Sequence, residues 1–495
     1  MLTPRKRSRP TTFFAFLFFA CLLLGGMASA APSITLSKKS GPPTSKILVS
    51  GRGFEPNVGV DIFFDTKDKA LVVTNGEGEF RDAEIFAPRG ARPGEHWVTA
   101  LERNNDKGDQ EPFLVRTNWS EFHFDADGTR LNPYEDVLNR RTVESIGLKW
   151  SYQTGDVVYS SPAVVNGVVY IGSEDFNVYA LDARTGSKLW SYKTGGSVAS
   201  APAVANGVVY VGSGTSGLYA INARTGAVLW IYNGVGFSSP AVANGVVYIG
   251  GGYTDHNVYA LDAHTGAKLW NYATGDIVLS SPAVVNGVVY VGSHDHNVYA
   301  LNARTGAKLW SYTTGGGADL SPTVAYGVVY VGSEDGNMYA LNASSGARLW
   351  NYTTPGAGSL IPAVANGVVY FGSADDKLYA LNASTGSKLW SYTTGFLVYS
   401  SPAVANGVVY VGSSDGKLYA FDARTGALLW TYTTGQSDYG IQSSPTVADG
   451  NVYVGAFDGK VYAFGLERAN SAKPVLLPDP KTLHPDFKLK ASKPV

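Results

Sequence analysis

Residues 310–349 read WSYTTGGGADLSPTVAYGVVYVGSEDGNMYALNASSGARL, and at Trp350 the same phrase begins again. The tryptophans Trp150, Trp190, Trp230, Trp270, Trp310, Trp350, Trp390 and Trp430 stand 40 residues apart throughout. A fixed period of this length marks a radial or solenoidal array of one repeated module. Turn residues cut the unit into four short strands, SPxV, GVVYVGS, NxYALNA and KLWxYxT. Asn166-Gly167, Asn206-Gly207, Asn244-Gly245 and Asn286-Gly287 are hairpin turns in which both residues accept positive φ. The DARTG and NASTG segments supply an Asx turn closed by glycine. Between them Val, Tyr and Val alternate with period two, and helical periodicity is absent.

Eight SPxV segments begin near Pro162, Pro202, Pro240, Pro282, Pro322, Pro362, Pro402 and Pro445. The tryptophan strands are offset from them by one: Trp150 precedes the first SPxV, and none follows the last. That offset predicts a ring in which the strand around Trp150 completes the last blade and leaves no edge open. The expected fold is therefore all-β, an eight-bladed propeller over 147–465. SPxV would line its central channel and the tryptophans would fill the gaps between blades.

The stretch from Gly407 to Trp430, of the form GxVYVGSxDGxLYALDAxTGxxLW, carries a resemblance to the PQQ-like (pyrroloquinoline-quinone) repeat propellers, and Trp119 to Trp150 looks like the lead-in of such proteins. The resemblance implies the propeller, and it admits quinone-dependent dehydrogenases, assembly scaffolds and sensors alike. In the dehydrogenases the quinone is held between a tryptophan and a disulfide of adjacent cysteines, with calcium beside it. Here the one cysteine, Cys21, lies in the leader, and the eight repeat tryptophans are claimed by blade packing. No cofactor is expected. PQQ with calcium belongs to an alternative in which the chain is a dehydrogenase with an altered site.

Residues 1–30 have the pattern of a signal peptide, with Arg5, Lys6, Arg7 and Arg9 before an apolar core and Ala28-Ser29-Ala30 at the cleavage point. Export to the periplasm, the cell surface or the medium follows, with no membrane-spanning segment in the remainder. Residues 32–117 show short alternating runs between Gly and Pro turns, expected to form a small β-sandwich with Trp97 in its core. The segment resembles bacterial Ig-like domains of the IPT/TIG type. Residues 118–146 are expected to be a lead-in linker, and 466–495 an extended Pro- and Lys-rich tail.

Lys and Arg number 39 against 40 Asp and Glu, a balance that argues against nucleic acid as a partner. Hydrolase, phosphate-loop and dinucleotide motifs are missing. Variation between units gathers in the loops after TG and after VGS, on one face of the ring. Loops on a rigid scaffold are where recognition concentrates, which makes Asp156, Tyr159, Asp319, Tyr399, Asp438 and Tyr439 the candidate ligand contacts. His256 and His296 occupy equivalent turns of adjacent blades, with His294, Asp255 and Asp295 nearby, and are the weaker candidates for a metal. Asp175, Asp335, Asp375, Asp415 and Asp458 in such turns are expected to cap their own backbone. The expected role is an exported, non-catalytic binding or scaffold protein, monomeric, with a protein or cell-surface glycan as partner. A carbohydrate-active protein using the tyrosines at the channel mouth is a further alternative.

Overall fold

The computed structural model describes residues 31–466 apart from 106, 123, 125–127, 254, 357–360 and 436–438. The signal sequence, the tail from 467 and Asp438 lie outside the described residues. Eight sheets of the same four-stranded form make a closed ring. In blade 1 the strands run Ala163–Val165, Val168–Gly172, Asn177–Asp182 and Lys188–Lys193, from the channel outward. Blade 8 takes three strands from the end of the chain, Thr446–Ala448, Asn451–Gly455 and Lys460–Leu466. Its outer strand is Ile146–Gln153, paired antiparallel to Lys460–Leu466. The ring thus closes by the one-strand offset read from the proline and tryptophan positions.

The local chemistry repeats around the ring. Asn166 and Gly167 have φ of 53° and 76°, the twist a two-residue hairpin needs. Asp182 Oδ1 accepts the N–H groups of Arg184 and Thr185, and Gly186 follows at φ 73°. A Cβ on Gly186 would stand 2.6 Å from the indole of Trp150, so that glycine is the surface on which the neighbouring blade's ring lies. The indole N–H of Trp150 donates to the Ala183 carbonyl at 3.0 Å, and the Tyr453 hydroxyl donates to the same oxygen at 3.2 Å. Each blade is stapled to the next in this way until the seam. There Trp430 donates to the Ile146 carbonyl, and the buried Tyr410 hydroxyl has no partner among the described residues.

The Asn-Gly and DAxTG turns share one face, as the bond from Ala183 N–H to the Gly167 carbonyl shows. The turns after VGS and the loops after TG share the other. There Asp175 ties the two together, accepting from Gly155 N–H at 2.7 Å, from Asn177 N–H at 2.9 Å and from the Tyr179 hydroxyl at 2.5 Å. Burial would raise the Asp175 pKa, and these hydrogen bonds outweigh it and leave the carboxyl below its usual value.

The lead-in differs most from expectation. It is more than a linker between the two domains. It enters the channel from the Asn-Gly face and fills it. Trp119 exchanges two backbone hydrogen bonds with Val164 of blade 1. The carbonyls of Ser120, Thr129 and Arg130 accept from Val204, Val364 and Val404 of blades 2, 6 and 7. Leu131–Asn132 adds a short parallel strand to blade 7, and Asn132 bonds the Val447 carbonyl of blade 8. Arg130 is fully buried, donating to the carbonyls of Phe122, Pro402 and Pro445. Innermost strands of a ring present unpaired backbone groups to the channel, and this segment satisfies them.

Ahead of the plug, Ser33–Leu36, Lys46–Arg52 and Phe80–Phe86 form one sheet. A second sheet of five strands holds Ser40–Gly41, Gly108–Val115, Gly94–Glu102, Gly59–Phe64 and Lys67–Val73. Both contribute to one core that includes Ile47, Val49, Ile62, Phe64 and Phe113. Trp97 is not part of that core; it is half-buried, and its N–H donates to Asp65. Thr117 and Asp449 exchange two hydrogen bonds where the chain passes into the ring.

Candidate functional site

The plug stops short of the variable face and leaves a cavity of ≈ 270 Å³ at the mouth of the channel, floored by Phe122. Two rings of equivalent positions make its wall. Immediately before each proline stand Ser161, Ala201, Ser239, Ser281, Ser321, Ile361, Ser401 and Ser444. These serines are chained blade to blade: Ser239 N–H donates to the Ser281 hydroxyl, Ser281 N–H to Ser321 and Ser444 N–H to Ser161, at 2.9–3.0 Å. Each such hydroxyl accepts from a backbone group and keeps its own O–H to donate.

Two residues further back, the rim position changes from blade to blade, and Tyr159, Phe237, Leu279, Asp319, Tyr399 and Gln442 line the cavity there. Three of the predicted contacts, Tyr159, Asp319 and Tyr399, therefore meet at one cavity. Tyr159 stands edge-on to Phe457 with ring centroids 4.5 Å apart, and Phe457 is 5.5 Å from Tyr439. That aromatic group is open to solvent, with Tyr159 41% and Tyr439 58% exposed. Asp156 does not line the cavity; its carboxylate accepts the N–H of Val157.

The histidines fall out differently. His256 and His296 each give their carbonyl to the threonine that follows the outer strand, Thr274 and Thr314. His256 Nε2 lies 3.8 Å from Asp276, and neither histidine belongs to a group of three potential metal donors among the described residues. His294, read from the sequence only as a neighbour of that pair, does. Its Nδ1 is 2.7 Å from Asp319 Oδ2 and 3.9 Å from Glu334 Oε2. The hydrogen bond to Asp319 raises the His294 pKa, while burial raises that of Asp319 against the pull of the imidazole. Asp319 Oδ1 is buried without a hydrogen-bond partner.

With this geometry in hand, comparison with known proteins decides the family. Residues 145–256, 233–358 and 313–480 match the PQQ_2 repeat family, described as outer membrane protein assembly factor BamB. The chain belongs to that family. Its ring is similar to that of quinohemoprotein alcohol dehydrogenase from Comamonas testosteroni, with a TM-score of 0.63 and 20% identity over 71% of this chain and 80% of that one. It is also similar to BamB from Moraxella catarrhalis, with a TM-score of 0.56 and 21% identity over 65% of this chain and 99% of that one. These likenesses show a shared propeller. A 1-butanol dehydrogenase (cytochrome c) of Thauera butanivorans is 34% identical over 79 residues, which span only 11% of that relative's length and 16% of this chain.

The resemblance to PQQ-like propellers implies a quinone in some members. The quinone carries three carboxylates, which need cationic partners when taken from water. Among the described residues the cavity wall holds no lysine or arginine, and Asp319 is the one carboxyl-bearing residue that lines it. Arg130 is sealed beneath the floor with three carbonyls. The repeat indoles lie between blades, and Trp119 is buried in the plug without lining the cavity. The residues at this cavity do not fit the quinone. No helix among the described residues is long and apolar enough to cross a membrane.

Proposed function

We propose that this PQQ_2-family propeller is an exported binding protein, and that the cavity at its variable face takes the end of a neutral, hydroxyl-rich ligand such as a cell-surface glycan. One observation carries the reading: the cavity wall combines a ring of serine hydroxyls with exposed tyrosines and, among the described residues, presents no cationic side chain. Aromatic faces cover the apolar sides of sugar rings, and hydroxyls that both donate and accept match their polar edges. A floor closed by Phe122 suits a site that holds a ligand end and not a channel that passes one. The carboxylates that act on Asp319, Glu334 and Asp276, are not among the residues lining the cavity.

The test is a glycan array probed with the signal-free chain, followed by calorimetry on any sugar retained. Saturable binding is expected, with a loss of about 1–3 kcal/mol on Tyr159→Ala or Tyr399→Ala if each ring stacks on the ligand. Absence of binding to every glycan, or retention unchanged in both variants, would sink the glycan reading. The family match with an outer membrane assembly factor favours a second reading, in which the same face docks a protein. Cross-linking at Tyr439 would then recover a polypeptide and no sugar.

A further inference from the structure

We propose that His294, Asp319 and Glu334 form a binding site for a divalent transition-metal ion, of the zinc or manganese class, at the rim of the central cavity. Their donor atoms all lie within 4.8 Å of one another. Donors around such an ion at ~2.0–2.2 Å stand about 3.4 Å apart when tetrahedral. The observed separations of 2.7 Å and 3.9 Å from His294 Nδ1 bracket that spacing. An imidazole nitrogen with two carboxylates selects a transition metal over calcium, which takes oxygen ligands.

A second observation is independent of the donors. Gly317 stands where blades 1, 2, 4 and 7 carry Val157, Ser197, Ile277 and Leu397. A Cβ on Gly317 would be 2.6 Å from Glu334 Oε2 and 3.0 Å from His294 Nδ1. Blade 8 also carries glycine here, Gly440, but beside Phe457 and not beside a potential ligand; at Gly317 the missing side chain would fill the space between these donors. Asp319 adds a third: its Oδ1 is buried and unbonded, a costly state for a carboxylate oxygen that an ion beside it would relieve. His294 and Glu334 sit at equivalent positions of blades 4 and 5, both directly after Val-Gly-Ser. Their approach comes from ring curvature, with Asp319 between them. Because Asp319 also lines the cavity, an ion held here would offer its open positions toward a ligand in that cavity. The site does not depend on the glycan reading, and either can fail alone.

The test is calorimetric titration of the signal-free, untagged chain with Zn²⁺ and Mn²⁺, with Co²⁺ absorption as the spectroscopic probe. One ion per chain is expected, with visible cobalt bands. Three variants use residues the fold already accepts at the equivalent positions: His294→Ser, as at Ser414, Asp319→Tyr, as at Tyr159, and Gly317→Val, as at Val157. Each is expected to weaken the ion by about tenfold or more, with the melting temperature retained. Gly317→Val is decisive, since it removes no ligand and only fills the space. His256→Ala serves as the control and leaves the affinity unchanged. Lack of saturable binding of all three ions, or equal binding in wild type and Gly317→Val, would overturn the proposal.

Discussion

The carbonyl of Ala423 accepts from both Trp390 and Tyr370, at 3.1 and 2.9 Å. One blade later Tyr410 is equally buried but has nothing to bond, because blade 8 enters from the plug and has no DAxTG turn to supply the oxygen. The same substitution should therefore act oppositely at the two sites. Tyr370→Phe is expected to cost about 1 kcal/mol, the net worth of a buried hydrogen bond, whereas Tyr410→Phe is neutral or stabilising. Urea unfolding of both variants beside wild type decides it, and equal destabilisation at the two positions would refute the seam argument. At this scale the candidate site was partly legible. Tyr159, Asp319 and Tyr399 were found because they lie in the loops that vary between otherwise matching units, and the structure puts those loops at the channel mouth. His294 was noted only beside His256 and His296, and its partners were not seen because they stand 25 and 40 residues onward, on the next blade. The equivalence of His256 and His296 suggested a pair, but equivalent positions on adjacent blades meet only where a third residue such as Asp319 reaches between them.

At the scale of the element, the hairpin at the end of each innermost strand carries Asn or Asp at its first position, except in blade 5, where Tyr326 takes φ 53° and is 73% exposed. A tyrosine held in the left-handed region is strained without compensating burial. Tyr326→Asn is expected to raise stability by about 1 kcal/mol, seen as a higher urea midpoint at unchanged slope. A lower midpoint would show that the ring of Tyr326 has a packing role. The hairpins, the Asx turns and the closing strand were all readable before the structure, since each is written in residues with narrow backbone preferences. The plug was not. Residues 118–145 have no period, and their described pairings with inner strands are one- and two-residue bridges to partners far away in sequence. The signal available was the cluster Trp119, Phe122 and Phe124, too aromatic for an exposed linker.

Across the whole molecule, stability at acid pH is set by the carboxylates that join one blade's turn to the preceding loop. At Asp175, Asp295 and Asp335 burial pulls the pKa up, but hydrogen bonds from Tyr179, Tyr299 and Tyr339 and from backbone N–H groups bring it below the usual value. A carboxyl depressed in the folded state contributes stability that is complete above its unfolded pKa and is lost as pH falls through the folded value. These groups should leave the urea midpoint flat between about pH 7 and 5 and lower it steeply below about pH 4. Tryptophan fluorescence would follow the transition, and an unchanged midpoint at the acid end would refute the assignment.

Pairing of Ile146–Gln153 with Lys460–Leu466 has a consequence for biosynthesis. The strand that completes the ring is among the first to leave the ribosome, and its mate is among the last. At about 5–20 residues per second the wait is on the order of tens of seconds. Throughout it the nascent chain is an open arc with a sticky border at each end, and no single blade can certify that the ring will shut. A stop codon between blade 1 and Lys460 would yield not a smaller propeller but an arc with both borders exposed, a substrate for chaperones and proteases.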